Sequence, residues 1–173
     1  LLIGEAGIGK TKIKDKFLDL INTNNVYLFQ CDCYQAEEKY SLKPWNLIFS
    51  QVAYIIKNEN IVIPLIWKNI LSRTFPVFAL TYTNEEDKQS GNYIGITIAK
   101  IEEVVLNLFN ELSKIRKVIL VFDDIQWMDE ESLMFLSRII LKQNENNIIF
   151  IGACRNEYNI KIENFTAELV KYE

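Results

Sequence analysis

The feature that most constrains the fold is a short glycine-rich segment near the start of the chain. Residues Gly4–Thr11 read Gly-Glu-Ala-Gly-Ile-Gly-Lys-Thr and match the pattern G-x-x-x-x-G-K-[ST] without a mismatch. In this pattern a turn joins a buried strand to a helix, and successive backbone N–H groups of the turn surround a phosphate. The segment therefore predicts a strand over Leu1–Ile3, a phosphate-binding loop, and a helix that begins at Lys10.

The last two residues of this loop have separate predicted roles. Lys10 is expected to act in catalysis by reaching the β- and γ-phosphates of a nucleotide, and the Thr11 hydroxyl to bind Mg²⁺. The alternative is an incidental Lys-Thr pair in a strand-to-helix turn, but a chance match in a chain of this length is on the order of one per cent. The predicted nucleotide-binding residues are Gly4, Glu5, Ala6, Gly7, Ile8, Gly9, Lys10 and Thr11.

A second chemical signal follows a second apolar run. Val118–Phe122 is apolar throughout and is followed directly by Asp123 and Asp124. Ligands of open α/β sheets bind at the carboxyl edge of the strands, where these carboxylates are expected to lie. We expect Asp123 to hold Mg²⁺ through a water beside Thr11, and Asp124 to orient or deprotonate an attacking water. The alternative for both carboxylates is a solvated acidic turn.

Arg155 is the third candidate catalytic residue. It follows the last apolar run, Ile148–Ile151, by a few positions. If that strand neighbours the strand that ends at Asp123, the Arg155 guanidinium lies at the same edge and is placed to sense a γ-phosphate. The alternative is a surface arginine paired with Glu157. Gln126 and Trp127 are candidates for lining the same cleft, although packing against the sheet is favoured for Trp127.

The apolar pattern predicts an α/β fold of three layers, with a mostly parallel sheet flanked by helices. Apolar runs that do not alternate are typical of strands covered on both faces, and amphipathic segments separate them here. The predicted strands are 1–3, 26–29, 118–122 and 148–151, and the predicted helices are 10–21, 44–57, one from 64, 98–112 and 130–141. Residues 83–92 predict an exposed, mobile loop, and Asp129 predicts the N-cap of the last helix. We expect 1–157 to form the core and 158–173 to begin a connection.

Composition excludes several function classes. The 173 residues are 49% hydrophobic and 24% charged, which fits one globular domain. A net charge of −4 with no basic run argues against direct nucleic-acid binding, and no apolar stretch is long enough to cross a membrane. The absence of histidine excludes His-dependent triads and zinc sites that use His. Cys31, Cys33 and Cys154 lack a zinc or redox spacing and predict reduced thiols in the cytoplasm.

Taken together, these motifs resemble one group of ATPases. Gly4–Thr11 with Asp123–Asp129 is similar to the STAND class of AAA+-related P-loop ATPases, in particular the ATPase modules of bacterial LuxR- and MalT-like multidomain regulators. In that group the Walker B strand continues as Asp-Asp-x-x-Trp-x-Asp and then Ser-Leu; here the stretch after Val118–Phe122 is Asp-Asp-Ile-Gln-Trp-Met-Asp, with Ser-Leu at 132–133. Segments 33–45 and 153–157 also resemble that group, and Arg155 stands in its sensor-1 region.

The resemblance implies binding of ATP or ADP with Mg²⁺, slow hydrolysis, and a conformational switch in a signalling or transcription regulator. It also implies self-association or signalling to output domains of the same chain, and a five-stranded parallel sheet followed by a lid. We do not find the fifth strand, the lid or an initiator Met in this sequence, so we expect a longer parent protein. The alternatives are a nucleotide-binding scaffold with negligible turnover, an ATPase like replication initiators or clamp loaders, and a structural domain that has lost nucleotide binding.

Overall fold

Four parallel strands form an open sheet in the order β1-β4-β3-β2. The computed structural model of the chain describes residues 1–82, 96–142, 148–157 and 159–170. The strands are β1 (Leu2–Gly4), β2 (Val26–Asp32), β3 (Lys117–Asp123) and β4 (Ile148–Arg155). The strand that ends at Asp123 therefore lies at the centre, between the strand that ends at Arg155 and the strand that ends at Asp32, and the predicted α/β class is confirmed.

Seven helices accompany the sheet in the described part of the chain. They are α1 (Lys10–Asp19), α2 (Lys43–Asn58), α3 (Leu65–Thr74), α4 (Pro76–Tyr82), α5 (Ile98–Ile115), α6 (Glu130–Lys142) and α7 (Ile160–Val170). A single turn of 3-10 helix at Ile125–Trp127 joins β3 to α6. Of the helices that are described, none is both long and apolar enough to cross a membrane.

The core is an aromatic cluster beneath the sheet's centre. Trp45 of α2 is fully buried, with its ring centroid 5.6 Å from Phe122 of β3 and 4.8 Å from Phe135 of α6. Phe49 stacks on Phe75 with centroids 4.0 Å apart. Each large aromatic side chain buries roughly 150 to 250 Å² of surface. This cluster therefore fixes α2 and α6 against the end of β3.

The amphipathic stripe predicted for 98–112 is buried along most of its length. Val105, Leu108 and Leu112 of α5 are fully buried, whereas Ile98, at the first turn, is 61% exposed. Residues 118–123 of the central strand are all buried, in agreement with a strand covered on both faces. The hydrophobic periodicity therefore located these elements correctly.

The structure differs from the sequence prediction mainly at element ends. β2 and β4 extend beyond the predicted apolar runs, because Gln30–Asp32 pairs with the end of β3 and Ala153–Arg155 pairs with β1. Pro44 is the second residue of α2 and not the first, a position that still tolerates a missing N–H. The loop predicted at 83–92 lies outside the described residues.

Helix α7 was not predicted, because its sequence pattern is weak. It buries Ile162 and Phe165 and packs on α6, where Ser137 Oγ donates to Glu168 Oε2 at 2.6 Å. The division of the chain into a core of 1–157 and a connection from 158 remains a prediction.

Helix α1 has an inverted pattern of burial. Its apolar residues Ile13 and Phe17, and Leu20 just after it, are 58%, 47% and 86% exposed. The single buried side chain of this helix belongs instead to Lys14. The apolar spacing correctly predicted a helix here, but the side chain that anchors it is a charged one.

Candidate nucleotide-binding site

The glycine-rich loop connects the carboxyl end of β1 to the first residue of α1. Gly7 has φ 78° and Gly9 has φ 100°, both in the left-handed region that glycine adopts without strain. A Cβ built at either glycine would meet no atom within 4 Å, so conformation and not crowding requires glycine there. The loop ends at a helix N-terminus whose backbone N–H groups are suited to an anion.

Lys10 lies against its own loop. Its Nζ donates to the carbonyl oxygens of Gly4 and Glu5, both at 2.8 Å. The Gly4 carbonyl also accepts from the backbone N–H of Asn156 at 3.0 Å, which joins the loop to the residue after β4. The ammonium is therefore held at the end of the sheet where β1 and β4 terminate.

Asp123 stands at the meeting point of the two sequence motifs. Its Oδ2 accepts from Thr11 Oγ1 at 3.3 Å, across a sequence separation of 112 residues. Its Oδ1 accepts from the backbone N–H of Asp124 at 3.0 Å, and its side chain is only 11% exposed. The structure thus brings together the hydroxyl and the carboxylate that we predicted as metal ligands.

Lys14 is part of this site, and the sequence analysis missed it. Its Nζ donates to Asp123 Oδ2 at 2.6 Å and lies 3.8 Å from Asp15 Oδ1, with the side chain 7% exposed. Burial by itself lowers the pKa of Lys14, but the hydrogen bond to Asp123 and the charges of Asp123, Asp32 and Asp15 outweigh it, and the pKa is raised. The available signal was spacing, because Lys14 follows Lys10 by four residues and shares its face of α1.

Asp124 begins the turn after β3 with φ 52°, a left-handed backbone that aspartate tolerates better than most residues. Its side chain is 43% exposed, and its Oδ1 accepts from Gln126 Nε2 at 2.8 Å. The Arg155 guanidinium lies between two carboxylates, with Nε 4.0 Å from Asp124 Oδ1 and one terminal nitrogen 3.8 Å from Glu157 Oε1. The pairing with Glu157 considered as the alternative for Arg155 is therefore present, and Asp124 is a second carboxylate beside it.

Gln126 links the ends of two strands. It is 4% exposed, and while its Nε2 binds Asp124, its Oε1 accepts from the backbone N–H of Arg155 at 3.1 Å. Its backbone carbonyl also accepts from Asn159 Nδ2 at 3.4 Å, just before α7. Trp127 is half-buried and packs against the core, as favoured from the sequence.

The end of the second motif fastens α6 to α2. Asp129 Oδ1 accepts from the backbone N–H of Ser132 at 2.9 Å, which confirms its predicted role as the N-cap of α6. The same oxygen accepts from the backbone N–H of Leu42 at 3.3 Å, and Trp45 Nε1 donates to the Ser132 carbonyl at 3.1 Å. This part of the motif is therefore structural.

Two clefts open on Thr11, Asp123 and Asp124. One has a volume of about 360 Å³ and its lining includes Gly7, Gly9, Lys10 and Arg155. The other has about 500 Å³, with further lining residues Lys14, Asp15, Gln30, Cys31, Asp32, Cys33 and Tyr34. The first cleft gathers the three predicted catalytic side chains with most of the phosphate loop.

The residues present fit Mg²⁺ and a phosphate chain. Mg²⁺ prefers oxygen ligands and commonly takes one or two from protein and others from substrate phosphates. Thr11 Oγ1 and Asp123 Oδ2 supply such oxygens side by side. Among the described residues there is no group of three or more Cys, Asp or Glu side chains arranged to hold a metal. A Mg²⁺ ion at these two oxygens would take its other ligands from water or from phosphate.

The three cysteines are free and buried, and Cys31 and Cys33 border the larger cleft. A hydrogen bond with Cys31 and burial raise the pKa of the Cys33 thiol. Burial also raises the pKa of Cys154. Raised pKa values disfavour the thiolate, so Cys33 and Cys154 behave as small apolar groups.

A parallel α/β sheet with a phosphate loop after its first strand, and a carboxylate at the end of its central strand, defines the core of a P-loop NTPase. The family model for the AAA ATPase domain matches residues 1–151, and the chain belongs to this family. No curated protein matches the chain at a significant level. The family supports nucleotide binding, with ATPase activity as its associated chemistry. The finer resemblance to the STAND class stays a prediction.

Proposed function

We propose that this chain binds ATP with Mg²⁺ and hydrolyses it slowly to ADP and phosphate. The observation that carries the proposal is the contact of Thr11 Oγ1 with Asp123 Oδ2, which unites two motifs far apart in sequence. The contact does not bury Thr11, because Lys14 is the one buried residue of the helix that carries it. A shared ligand explains why a hydroxyl and a carboxylate converge there.

Each residue has a role in this proposal. The loop Gly4–Thr11 would hold the phosphates through its backbone N–H groups, with Lys10 between the β- and γ-phosphates. Thr11 and Asp123 would hold Mg²⁺, which when bound neutralises phosphate charge. Asp124 would orient a water or take its proton, and Arg155, beside Asp124, would contact the γ-phosphate.

We extend the proposal to a switch within a multidomain signalling or transcription regulator. Its support is the resemblance to regulator ATPase modules, together with Gln126, which contacts Asp124, Arg155 and Asn159. Through these contacts a change at the γ-phosphate would reach α7. Output domains of the same chain, or further copies of it, are the proposed recipients.

The second candidate function is a nucleotide-dependent scaffold with negligible turnover. It is favoured by the contacts of Asp124, whose Oδ1 is already engaged by Gln126 and faces Arg155. An oxygen that is already engaged in this way is less free to bind and orient an attacking water. The two candidates share nucleotide binding and differ in hydrolysis.

Binding is tested by thermal unfolding with Mg·ATP, Mg·ADP and Mg·GTP. Ligand at about 100 times its Kd stabilises the folded state by roughly 2.7 kcal/mol, a readily measured shift. We expect shifts with the adenine nucleotides. Lys10→Ala should abolish them, whereas Lys16→Ala, the same change at an exposed position of α1, should not. Equal affinity of Lys10→Ala and the wild type for Mg·ATP would refute the assignment.

Hydrolysis is tested separately by single-turnover kinetics with Asp124→Asn. Loss of a general base lowers a rate by about 10² to 10⁴, and nucleotide affinity should change little. An unchanged rate would remove Asp124 from the mechanism. Tight binding with no measurable turnover in the wild type would establish the scaffold function.

A further inference from the structure

The ammonium of Lys14 lies where a cation of the proposed site would lie. Thr11 Oγ1 and Lys14 Nζ contact the same carboxylate oxygen, Asp123 Oδ2, at 3.3 Å and 2.6 Å. A metal ion held between Thr11 and Asp123 would therefore stand within a few ångström of Nζ. Two positive charges at such a short distance repel each other strongly in a partly buried site. The ammonium and the metal ion therefore cannot both stay in contact with this oxygen.

The surroundings of Lys14 make it a true counter-ion for Asp123. Both side chains are almost fully buried, and a buried carboxylate without a partner is strongly unfavourable. Lys10, another cation at the phosphate loop, donates to the loop carbonyls of Gly4 and Glu5. Lys14 thus neutralises Asp123 in the protein without a metal.

Lys14 also has a second acceptor within reach. Asp15 Oδ1 lies 3.8 Å from Nζ, and Asp15 is well exposed, at the border of the 500 Å³ cleft that Lys14 and Asp32 also line. A lysine side chain has four rotatable bonds and moves easily over such a distance. The ammonium therefore has space and a carboxylate to receive it when it leaves Asp123.

We propose that Lys14 is a built-in counter-cation that exchanges with Mg²⁺ on Asp123. Lys14 lowers the affinity of the nucleotide-free protein for the metal, and it turns toward Asp15 and the cleft when Mg²⁺ arrives with the nucleotide. The inference rests on the proposed function for the identity of the metal site. Its consequence is that the metal is taken up together with the nucleotide and not ahead of it.

Mn²⁺ binding to the nucleotide-free chain, measured by the EPR signal of the free ion, tests this exchange. Lys14→Met should bind Mn²⁺ at least about ten-fold more tightly than the wild type, because it removes a charge next to the metal position. Lys16→Met makes the same charge change at an exposed position of α1 and should alter the affinity by less than about two-fold. Lys14→Met combined with Asp123→Asn should lose the gain.

Equal Mn²⁺ affinity of Lys14→Met and Lys16→Met would overturn the inference. A tighter Mn²⁺ site in Lys14→Met without any binding of ATP would leave the inference standing and refute the proposed function. If the wild type binds Mg·ATP but Lys14→Met does not change the metal affinity, the proposed function stands and the inference about Lys14 is overturned.

A measurement on the wild type covers the case in which Lys14→Met does not fold. Acylation of lysine amines, followed by mass spectrometry, reports which ammonium groups are free. Saturating Mg²⁺ with ATP should raise the rate at Lys14 by about ten-fold relative to EDTA with ATP, while the rate at Lys16 stays constant. Continued protection of Lys14 under Mg·ATP would overturn the exchange.

Discussion

The phosphate loop with α1 and the segment Asp123–Asp129 meet at Asp123, which accepts from Thr11 and Lys14, but the two regions are held in place by different forces. The loop is shaped by backbone conformation at Gly7 and Gly9, and the helix after it buries one side chain. The second segment is held by side chains, with Asp123, Gln126 and Asp129 all buried and hydrogen-bonded. One half of the site depends on local geometry, and the other depends on the packing of the whole domain.

Because the two halves are held differently, substitutions in them should differ in how much of the fold they destabilise. A change in the second segment disturbs the joint between α2 and α6, and hence the stability of the whole fold. A change in the loop or on the outer face of α1 remains local. The free energy of unfolding, measured by urea denaturation, separates the two responses.

Among changes within the two halves of the site, the largest effect is expected at Asp129. Asp129→Ala removes the N-cap of α6 and leaves the buried N–H groups of Ser132 and Leu42 without this acceptor. We expect a loss of about 2 to 3 kcal/mol in the free energy of unfolding. Asp129→Ser keeps a capping oxygen and should lose less. Glu130→Ala, at the exposed neighbouring residue, should change the free energy of unfolding little. If it loses as much as Asp129→Ala, the N-cap hydrogen bond is not the source of the stabilisation.

An intermediate effect is expected in the loop. Gly9→Ala places a Cβ at φ 100°, where the added atom meets no neighbour but the backbone is strained. We expect a loss of about 1 to 2 kcal/mol, with weaker nucleotide binding because the loop relaxes to another conformation. Gly9→Asn, which tolerates left-handed φ better, should lose less. Equal losses of stability in Gly9→Ala and Gly9→Asn would contradict the view that this position requires glycine for its left-handed backbone.

The smallest effect is expected on the outer face of α1. Phe17→Ser removes an apolar ring that is 47% exposed, and the free energy of unfolding should change by no more than about 0.5 kcal/mol. Phe109→Ser, the same substitution at a fully buried position of α5, should lose more than about 3 kcal/mol. Comparable losses at both positions would contradict the exposed placement of α1's apolar face.

The same contrast explains what could be predicted from the sequence. The phosphate loop, the strand before Asp123 and the N-cap Asp129 are recognisable because each depends on neighbours a few residues away. The parallel sheet followed from apolar runs separated by helices, and the family match supports the nucleotide-binding class.

Features that depend on distant packing could not be predicted in this way. From the sequence, Lys14 resembles the other, solvated lysines of α1. Its burial depends on Asp123, which is 109 residues away in the sequence. Helix α7 has apolar residues, of which Ile162 and Phe165 are buried, but it is recognisable as part of the fold only once α6 is in place beside it. The bridging contacts of Gln126 likewise need β4 to lie next to β3.

The backbone at Asp124 has an evolutionary consequence. Its φ of 52° is accessible to asparagine and glycine as well as to aspartate, and each of those changes takes a single nucleotide substitution in an aspartate codon. Neither exchange strains the turn or disturbs Asp123. With the role proposed above for Asp124, a lineage selected only for assembly can therefore lose hydrolysis at this position while it keeps the fold and the proposed nucleotide pocket. Under the proposed function, an ATPase and a descendant that does not hydrolyse ATP would differ by a single mutation at Asp124.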